Sequence, residues 1–367
     1  MATRRGQLFS RAGGAGTALG RPVLALVAAF VAGGLLVLAL GSNPFTVYSQ
    51  LIRGGLDGWP NIAVTLQSTT PLIFTGLAVA FAFRGGMANI GVEGQMLFGA
   101  LAAGIVGSAV RLPAPLHVTA CLLAAALAGS LWAAIPGVLR AYFNVNELVL
   151  CLMLNPIALN VTSFFASRAL KAPGPTNKLP DIQPTAELAQ LTLFSQVNTG
   201  LFIAVVLVGL VLAFNGLTRR GFEFKILGLS PRFAHYGGLR VRSSMLAVML
   251  VSGAIAGLGG AEQALGVYRA YYDGFSPGYG FDGIAVAMLA NNHPVGVLAS
   301  AFLFGTLSSG SSVLQMTSNV TKDLVKVLQA IVILMLAARA MGWRLPRVRT
   351  RPPEPARVPS PTAAAGE

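Results

Sequence analysis

The chain contains eight separate runs of about twenty predominantly apolar residues, and these runs constrain its fold more than any other feature. A helix of roughly 20 apolar residues crosses the hydrocarbon core of a bilayer. Only 10% of the residues are charged, whereas soluble domains carry about 25%, so the composition excludes a soluble enzyme and a disordered protein. The pattern predicts an all-α polytopic membrane protein. The predicted spans are Pro22–Leu40, Pro60–Phe83, Met87–Val110, Leu116–Arg140, Val145–Arg168, Thr199–Leu217, Ser243–Gly266 and Lys322–Met341.

A further apolar stretch, Tyr271–Ser312, is too long for one span and is interrupted by Asn291-Asn292-His293-Pro294. Arginines cluster at both ends of the chain, so the positive-inside rule predicts that both termini are cytoplasmic and that the number of spans is even. We therefore predict two short helices here, from about Tyr271 to Asn291 and from about Pro294 to Ser312. The total is then about ten transmembrane helices.

The segments outside the spans differ in composition. Residues 1–21 form a basic arm that precedes a transmembrane domain over residues 22–342, and residues 343–367 form a tail rich in proline and arginine, predicted to be disordered and cytoplasmic. The proline-rich segment 169–198 is predicted to be an external loop, with a short surface helix near Ala186–Leu193. Segment 218–242 is predicted to be a basic cytoplasmic loop.

Several kinds of chemistry find no support in the sequence. A P-loop is excluded because no Gly-Lys dipeptide occurs, so nucleotide hydrolysis by this chain is not expected. His117, His235 and His293 lie far apart and lack a glutamate at helical spacing, so no metal site is predicted. The net charge of +14 comes from residues at the ends of spans, where they act as topology signals and contact lipid, so no nucleic-acid partner is expected. We expect neither an enzyme nor a bound cofactor.

The first polar interruption at membrane depth is segment 85–95, which carries Asn89, Glu93 and Gln95 among four glycines. Ionisable residues inside a membrane are costly and suggest function. One interpretation is a broken helix that lines a polar path, because irregular backbone is tolerated where it lines a cavity. Asn89 would then cap the half-helix that follows. The other interpretation is a tight entry turn at the start of the third span, and the two are compatible.

A second acidic residue, Glu147, lies at the start of the fifth span. Asn146 as N-cap, with Glu147 in the first turn, gives favourable helix-start chemistry. That structural interpretation and a role as a gate or pathway residue both remain open. Asn155 and Asn160 lie deeper in the same span.

The second interruption at membrane depth lies at 280–296, in the other half of the chain. Asp282 is expected to cap one short helix, and Asn292 or His293 to cap the next, with Pro294 at its first position. Asn291 lies in the same turn. Paired interruptions in the two halves of a membrane protein are typical of transporters built from inverted repeats. The sequence therefore predicts two inverted repeats with broken helices.

Four blocks of the sequence resemble one protein family. Residues 83–100 read FRGGMANIGVEGQMLFGA, 146–160 read NELVLCLMLNPIALN, 221–239 read GFEFKILGLSPRFAHYGGL, and 274–310 end in DGIAVAMLANNHPVGVLASAFLFGTLSSG. These blocks resemble permease subunits of ABC importers for nucleosides and simple sugars, most closely the nucleoside branch. The resemblance covers about Pro60 to Met341. Pro156 departs from the pattern, because an aromatic residue commonly follows the asparagine.

The resemblance implies a set of partners and a place in the bacterial cell membrane. Such permeases pair with a second homologous permease, receive substrate from an extracytoplasmic binding lipoprotein, and sit on ABC ATPase subunits that hold ATP and Mg²⁺. It also implies that a short helix in loop 218–242 docks into the ATPase. The residues assigned to this coupling segment are Gly228, Leu229, Ser230, Pro231, Ala234, Tyr236 and Gly237.

A nucleoside is neutral and polar, so its pathway needs hydrogen-bonding groups without strong fixed charge. The candidates for these groups are Asn89, Glu93, Gln95, Glu147, Asn155, Asn160, Asn291 and Asn292. Phe83, Phe98 and Phe281 are candidates for flat apolar walls. The alternative class is a proton-coupled secondary carrier for a small polar solute, which would use Glu93 or Glu147 as a proton relay and need no ATPase.

Overall fold

The computed structural model describes residues 31, 33–35, 37–38, 43–191, 195–317 and 327. The predicted span Lys322–Met341 falls outside these residues except for residue 327, and Pro22–Leu40 falls outside them except for six residues between 31 and 38. The arm 1–21 and the tail 343–367 lie wholly outside. Apart from two isolated bridges, the regular structure of the described part is helical. The helices are α1 Pro44–Leu56, α2 Gly58–Arg84, α3 Val92–Ala109, α4 Ala114–Phe143, α5 Glu147–Phe164, α6 Gly200–Leu217, α7 Arg219–Leu229, α8 Pro231–Tyr236, α9 Val241–Glu262, α10 Tyr279–Leu289 and α11 Pro294–Thr317.

Seven of the described helices are long and apolar enough to cross a membrane. They correspond to seven of the eight spans predicted between residues 60 and 312, the exception being Tyr271–Asn291. Helices α5 and α9 are each extended by a π-helical turn, Phe165–Ala169 and Gln263–Val267. The all-α polytopic membrane fold is therefore confirmed. Helix α1 was not predicted, and it packs against α11 and α2.

The predicted helix from Tyr271 to Asn291 is wrong in its first third. Helix α10 begins only at Tyr279 and has 11 residues, which is about 16 Å and half the thickness of the hydrocarbon core. Pro277 and Gly278, whose φ is +111°, interrupt the chain immediately before it. Asp282 was expected to cap this helix, but the N-cap is Gly278, and Asp282 lies in the first turn.

Helix α9 runs through the middle of the described bundle and packs along α4, α3 and α2. Gly253 and Gly257 of α9 lie against the backbone of α4 at Gly129, where a β-carbon would have no room. Small residues four positions apart allow helix backbones to approach closely within a membrane. The glycine-rich composition of α9 therefore serves the close packing of α9 on α4.

Helix α6 connects the two ends of the bundle. Loop 169–198 precedes α6, and we call that side of the bundle the loop end. Helices α7 and α8 follow α6 on the opposite side, which we call the α8 end. The predicted surface helix near Ala186–Leu193 is wrong where it is described, because only Pro184–Ala186 forms a 3₁₀ turn. The backbone N–H of Leu188 donates instead to Leu265 O at 3.1 Å, and that of Leu179 donates to Tyr271 O at 2.9 Å. The loop thus packs as extended chain onto the end of α9 and the residues after it.

Candidate functional site

Segment 85–91 is the break between α2 and α3. Helix α2 ends at Arg84, and Gly86, with φ of +75°, turns the chain. Residues 87–91 are not helical, and α3 begins at Val92. Asn89 reaches Ser252, which lies eleven residues beyond the start of α9, a distance of about 16 Å along that helix. The break therefore begins with a turn, as the entry-turn interpretation predicts, and continues as irregular backbone packed against the middle of α9. That it lines a polar path stays a prediction.

Asn89 is fully buried and uses its complete hydrogen-bonding capacity. Its Nδ2 donates to Gln95 Oε1 and to Ser252 Oγ, both at 2.8 Å. Its Oδ1 accepts from Gln95 Nε2 at 2.9 Å and from the backbone N–H of Gly91 at 3.1 Å. Ser252 Oγ in turn donates to Ala78 O at 2.7 Å. The cluster fastens the break to α2 and α9, although the N-cap of α3 is Gly91 rather than Asn89.

Asn155 attaches α5 to the same break. Its Oδ1 accepts from the backbone N–H of Gly94 at 3.0 Å, and its Nδ2 donates to Ile90 O at 3.1 Å. The first N–H groups of a helix have no partner within it, so Asn155 satisfies one of them from a neighbouring helix. Four helices, α2, α3, α5 and α9, thus meet at one buried polar cluster.

Glu93 joins this cluster to α10. Its Oε2 accepts from the backbone N–H of Gly280 at 2.6 Å. The N-termini of α3 and α10 therefore meet, with one carboxylate between them, where the helix dipoles favour negative charge. A β-carbon at Gly280 would lie 2.6 Å from Glu93 Cα, so only glycine fits this approach.

The remaining predicted pathway residues lie away from this junction. Glu147 pairs with Arg140 Nε at 3.1 Å, and Asn146 caps α5 by accepting from the N–H of Leu148 at 2.9 Å, so the helix-start interpretation is confirmed. Asn160 is exposed on α5 and donates to the carbonyl of its own helix at 2.8 Å. Asn291 and Asn292 adopt left-handed conformations in the turn between α10 and α11.

The aromatic candidates are also separated. The ring of Phe98 stacks on Trp132 at 4.1 Å between centroids. Phe83 is partly buried against the core formed by α2 and α9, and Phe281 is exposed on α10. The three rings therefore do not form one apolar wall.

One buried acidic residue, Glu262, was not among the candidates predicted from the sequence. Glu262, at the end of α9, accepts from Asn198 Nδ2 at 2.8 Å and from Gln263 Nε2 at 2.7 Å. Asn198 Oδ1 also accepts from the N–H of Gly200 at the start of α6. Glu262 is the only charged residue in the predicted span Ser243–Gly266. The high cost of an ionisable residue inside a membrane, which made Glu93 a candidate, would therefore have made Glu262 a candidate as well.

The coupling segment is helical at the α8 end. Ser230 is the N-cap of α8, its Oγ accepts from the N–H of Phe233 at 3.2 Å, and Pro231 takes the first position. Ala234 is fully buried against the core of this chain, whereas the side chain of Tyr236 is 89% exposed. The side chain of Ala234 thus faces the core, while Tyr236, Leu229 and Phe233 face outward.

Gly228 connects the coupling segment to the break. It lies against Arg84 O and the N–H of Gly86, and a β-carbon on Gly228 would lie 3.1 Å from that nitrogen. Gly237, the C-cap of α8, has no comparably close neighbour. The end of α7 is therefore in backbone contact with the turn from which the buried polar cluster begins.

Comparison with known proteins identifies relatives along most of the chain. Residues 61–337 match the family described as branched-chain amino acid transport system / permease component. The guanosine ABC transporter permease protein NupP of Bacillus subtilis is 38% identical over 86% of this chain and 92% of its own length. The glucose ABC transporter permease protein TsgB13 of Haloferax volcanii is 35% identical over 87% of each chain. The nucleoside ABC transporter permease protein NupB of Lactococcus lactis is 32% identical over 87% of this chain and 90% of its own length.

These relatives agree with the membrane fold and with the family that the sequence blocks resemble. No finding favours the proton-coupled secondary carrier. Permeases of ABC transporters act with ATPase and substrate-binding partners, and the described helices make this a multi-pass membrane protein. The chain belongs to the branched-chain amino acid transport system permease family and is the permease subunit of an ABC importer.

Proposed function

We propose that this permease translocates nucleosides, with a simple sugar such as glucose as the competing substrate class. The observation that carries the proposal is the 38% identity to a guanosine permease over 92% of that protein. The glucose permease is nearly as similar at 35%, so substrate class has to be tested directly. Segment 83–100 also resembles the nucleoside branch.

The buried charges of the described helices support a neutral substrate. Glu93 accepts from the backbone N–H of Gly280, and Glu262 accepts from the side chains of Asn198 and Gln263. Both carboxylates thus accept hydrogen bonds from donors of the chain itself, in places where an unpaired charge would be very costly. A neutral solute with hydrogen-bonding groups needs no fixed counter-charge from either of them.

We propose the partners that this function requires. A separate ATPase binds ATP and Mg²⁺ and docks against α8, a second homologous permease completes the pathway, and an extracytoplasmic lipoprotein delivers the substrate. This chain itself then has no catalytic activity and no cofactor. It lies in a bacterial cell membrane with both termini cytoplasmic, and the domain limits 22–342 and 343–367 follow from the same topology.

The coupling mechanism uses the contact between Gly228 and Gly86. ATP-driven closure of the ATPases pulls on the exposed face of α8, and α7 carries the displacement to the turn at Gly86. That turn leads directly to Asn89 and Glu93, which hold the break to α9 and α10. A displacement at the α8 end is thereby transmitted to the middle of the membrane, as in rigid-body switching between two access states.

Reconstitution of the assembled transporter in liposomes tests the proposal. With the cognate binding protein present, guanosine is expected to stimulate ATP hydrolysis and to accumulate inside, while glucose does neither. Stimulation by glucose alone would move the chain to the sugar class. Uptake that needs no ATP but stops when an ionophore dissipates the proton gradient would overturn the importer mechanism.

A further inference from the structure

Three arginines line a cleft at the α8 end, and the proposed transport mechanism does not use them. The cleft lies between α8, the end of α4 and the start of α9, and its volume is about 850 Å³. The polar residues that line it are Tyr142, Arg232, His235, Tyr236, Arg240, Arg242 and Ser243.

The charge of this cleft is unbalanced. Three arginines line it, and its described lining contains no acidic side chain. Among the described residues, ion pairs are formed by Arg140, Lys178, Arg220 and Arg269, and none of the three cleft arginines takes part. Guanidinium groups bind phosphate oxygens through paired, charge-assisted hydrogen bonds. The cleft is therefore suited to an anion with several oxygens.

The position of the cleft favours a ligand with an apolar part. Tyr142 is the penultimate residue of α4, and Val241, which also lines the cleft, is the first residue of α9. Both helices are long enough to span a membrane, so the cleft lies at the membrane boundary. Tyrosine is enriched at that level.

An exposed apolar stripe runs along α4 towards the cleft. Its members follow one another at helical spacing and end at Tyr142, and they are Leu123, Leu127, Leu131 and Ile135. A phosphate headgroup in the cleft would place its acyl chains along this stripe. A free phosphate would use only the arginines.

We propose that this cleft binds the headgroup of an anionic phospholipid, with its acyl chains lying along α4. A docked ATPase is the alternative occupant. Pro231 and Tyr236 of the coupling segment line the cleft, whereas the exposed Leu229 and Phe233 do not. Leu229 and Phe233 therefore remain available to a protein partner while lipid fills the cleft.

The test uses the assembled transporter in nanodiscs containing phosphatidylglycerol and phosphatidylcholine, with retained lipid measured by native mass spectrometry after transfer to detergent. Arg240→Gln with Arg242→Gln is expected to lower phosphatidylglycerol retention about tenfold, which corresponds to the loss of roughly one charge-assisted contact. The matched control Arg219→Gln with Lys225→Gln removes equal charge from the same segment outside the cleft, and retention should stay within about twofold. Arg240→Lys with Arg242→Lys keeps the charge but loses the paired guanidinium hydrogen bonds, so its retention should lie between that of the glutamine variant and that of the unmodified protein. An unchanged unfolding temperature of both variants excludes misfolding as the cause.

Three results would overturn the proposal. Equal retention of phosphatidylglycerol by the cleft variant and the control would show that the cleft does not bind it. Displacement of the lipid by millimolar inorganic phosphate would identify a site for free anions. Loss of the ATPase from the cleft variant during purification, with lipid retention unchanged, would identify the cleft as a protein-docking surface.

Discussion

Substitutions of Glu93 distinguish between two roles for this residue, a structural cap of α10 and a proton relay. Glu93→Leu removes the acceptor for the Gly280 N–H, which lies 2.6 Å from Oε2, and leaves that donor unpaired at membrane depth. A hydrogen bond to a charged group contributes about 1.5–3 kcal/mol, and an unsatisfied buried donor costs a similar amount. Glu93→Gln keeps an oxygen at the same place and loses only the charge at the two helix N-termini, for which about 0.3–1 kcal/mol is typical.

Thermal unfolding and ATP-dependent uptake, measured on the same purified transporter, provide the assay. We expect Glu93→Leu to lower the unfolding temperature by several degrees and to abolish uptake. Glu93→Gln should unfold close to the unmodified protein and keep most of its uptake. If Glu93→Gln folds normally but loses uptake as completely as Glu93→Leu, the charge itself is required, and capping of α10 does not explain this residue.

Other contacts make further predictions. Gly280→Ala should destabilise the protein by about 1–3 kcal/mol, because its β-carbon would overlap Glu93, whereas Gly209→Ala on α6, with open space around it, should be neutral or stabilising by up to about 1 kcal/mol in thermal unfolding. Gly228→Ala should force α7 away from the turn at Gly86, so ATP hydrolysis should persist while uptake falls at least about tenfold; parallel losses of both would point to misfolding. Tyr236→Ala, at a site 89% exposed, should change stability by less than about 0.5 kcal/mol but weaken ATPase co-purification. Glu147→Gln should cost less than about 1 kcal/mol and leave uptake within about twofold, and a selective loss of uptake would instead indicate a gate.

The predictable part of the fold was the part governed by local sequence. Spans were located to within a few residues because length and hydropathy alone decide whether a helix crosses a bilayer. The starts of α5 at Asn146 and of α8 at Ser230-Pro231 were also predictable, since capping depends on residues two or three positions away. The sequence likewise identified Asn89, Glu93, Gln95 and Asn155 as polar residues at membrane depth, which require a structural or functional explanation.

The partners of those residues were not predictable. Asn89 and Ser252 are 163 positions apart, and Glu93 and Gly280 are 187 positions apart, so no local pattern indicates either pair. The start of α10 shows the consequence. Hydropathy places it near Tyr271, but the helix begins only at Tyr279, where the Glu93 side chain of α3 accepts from the N–H of Gly280 in its first turn. Local rules therefore failed where one helix end is completed by another helix.

The junction of α3 and α10 also limits how the protein can move. Helix α3 leaves the junction towards the loop end, since Gly104 contacts Tyr271 next to loop 169–198, while α10 leads to the turn at Asn291 on the opposite side. The two interruptions thus enter from opposite sides and meet, which is the arrangement expected if the predicted inverted repeats are present. Separating the two N-termini would expose a buried carboxylate and an unpaired N–H, at a cost of about 1.5–3 kcal/mol or more. Alternating access is therefore less costly if α3 and α10 move together, with bending confined to the turn at Gly86 and to the glycine at 278 that precedes α10.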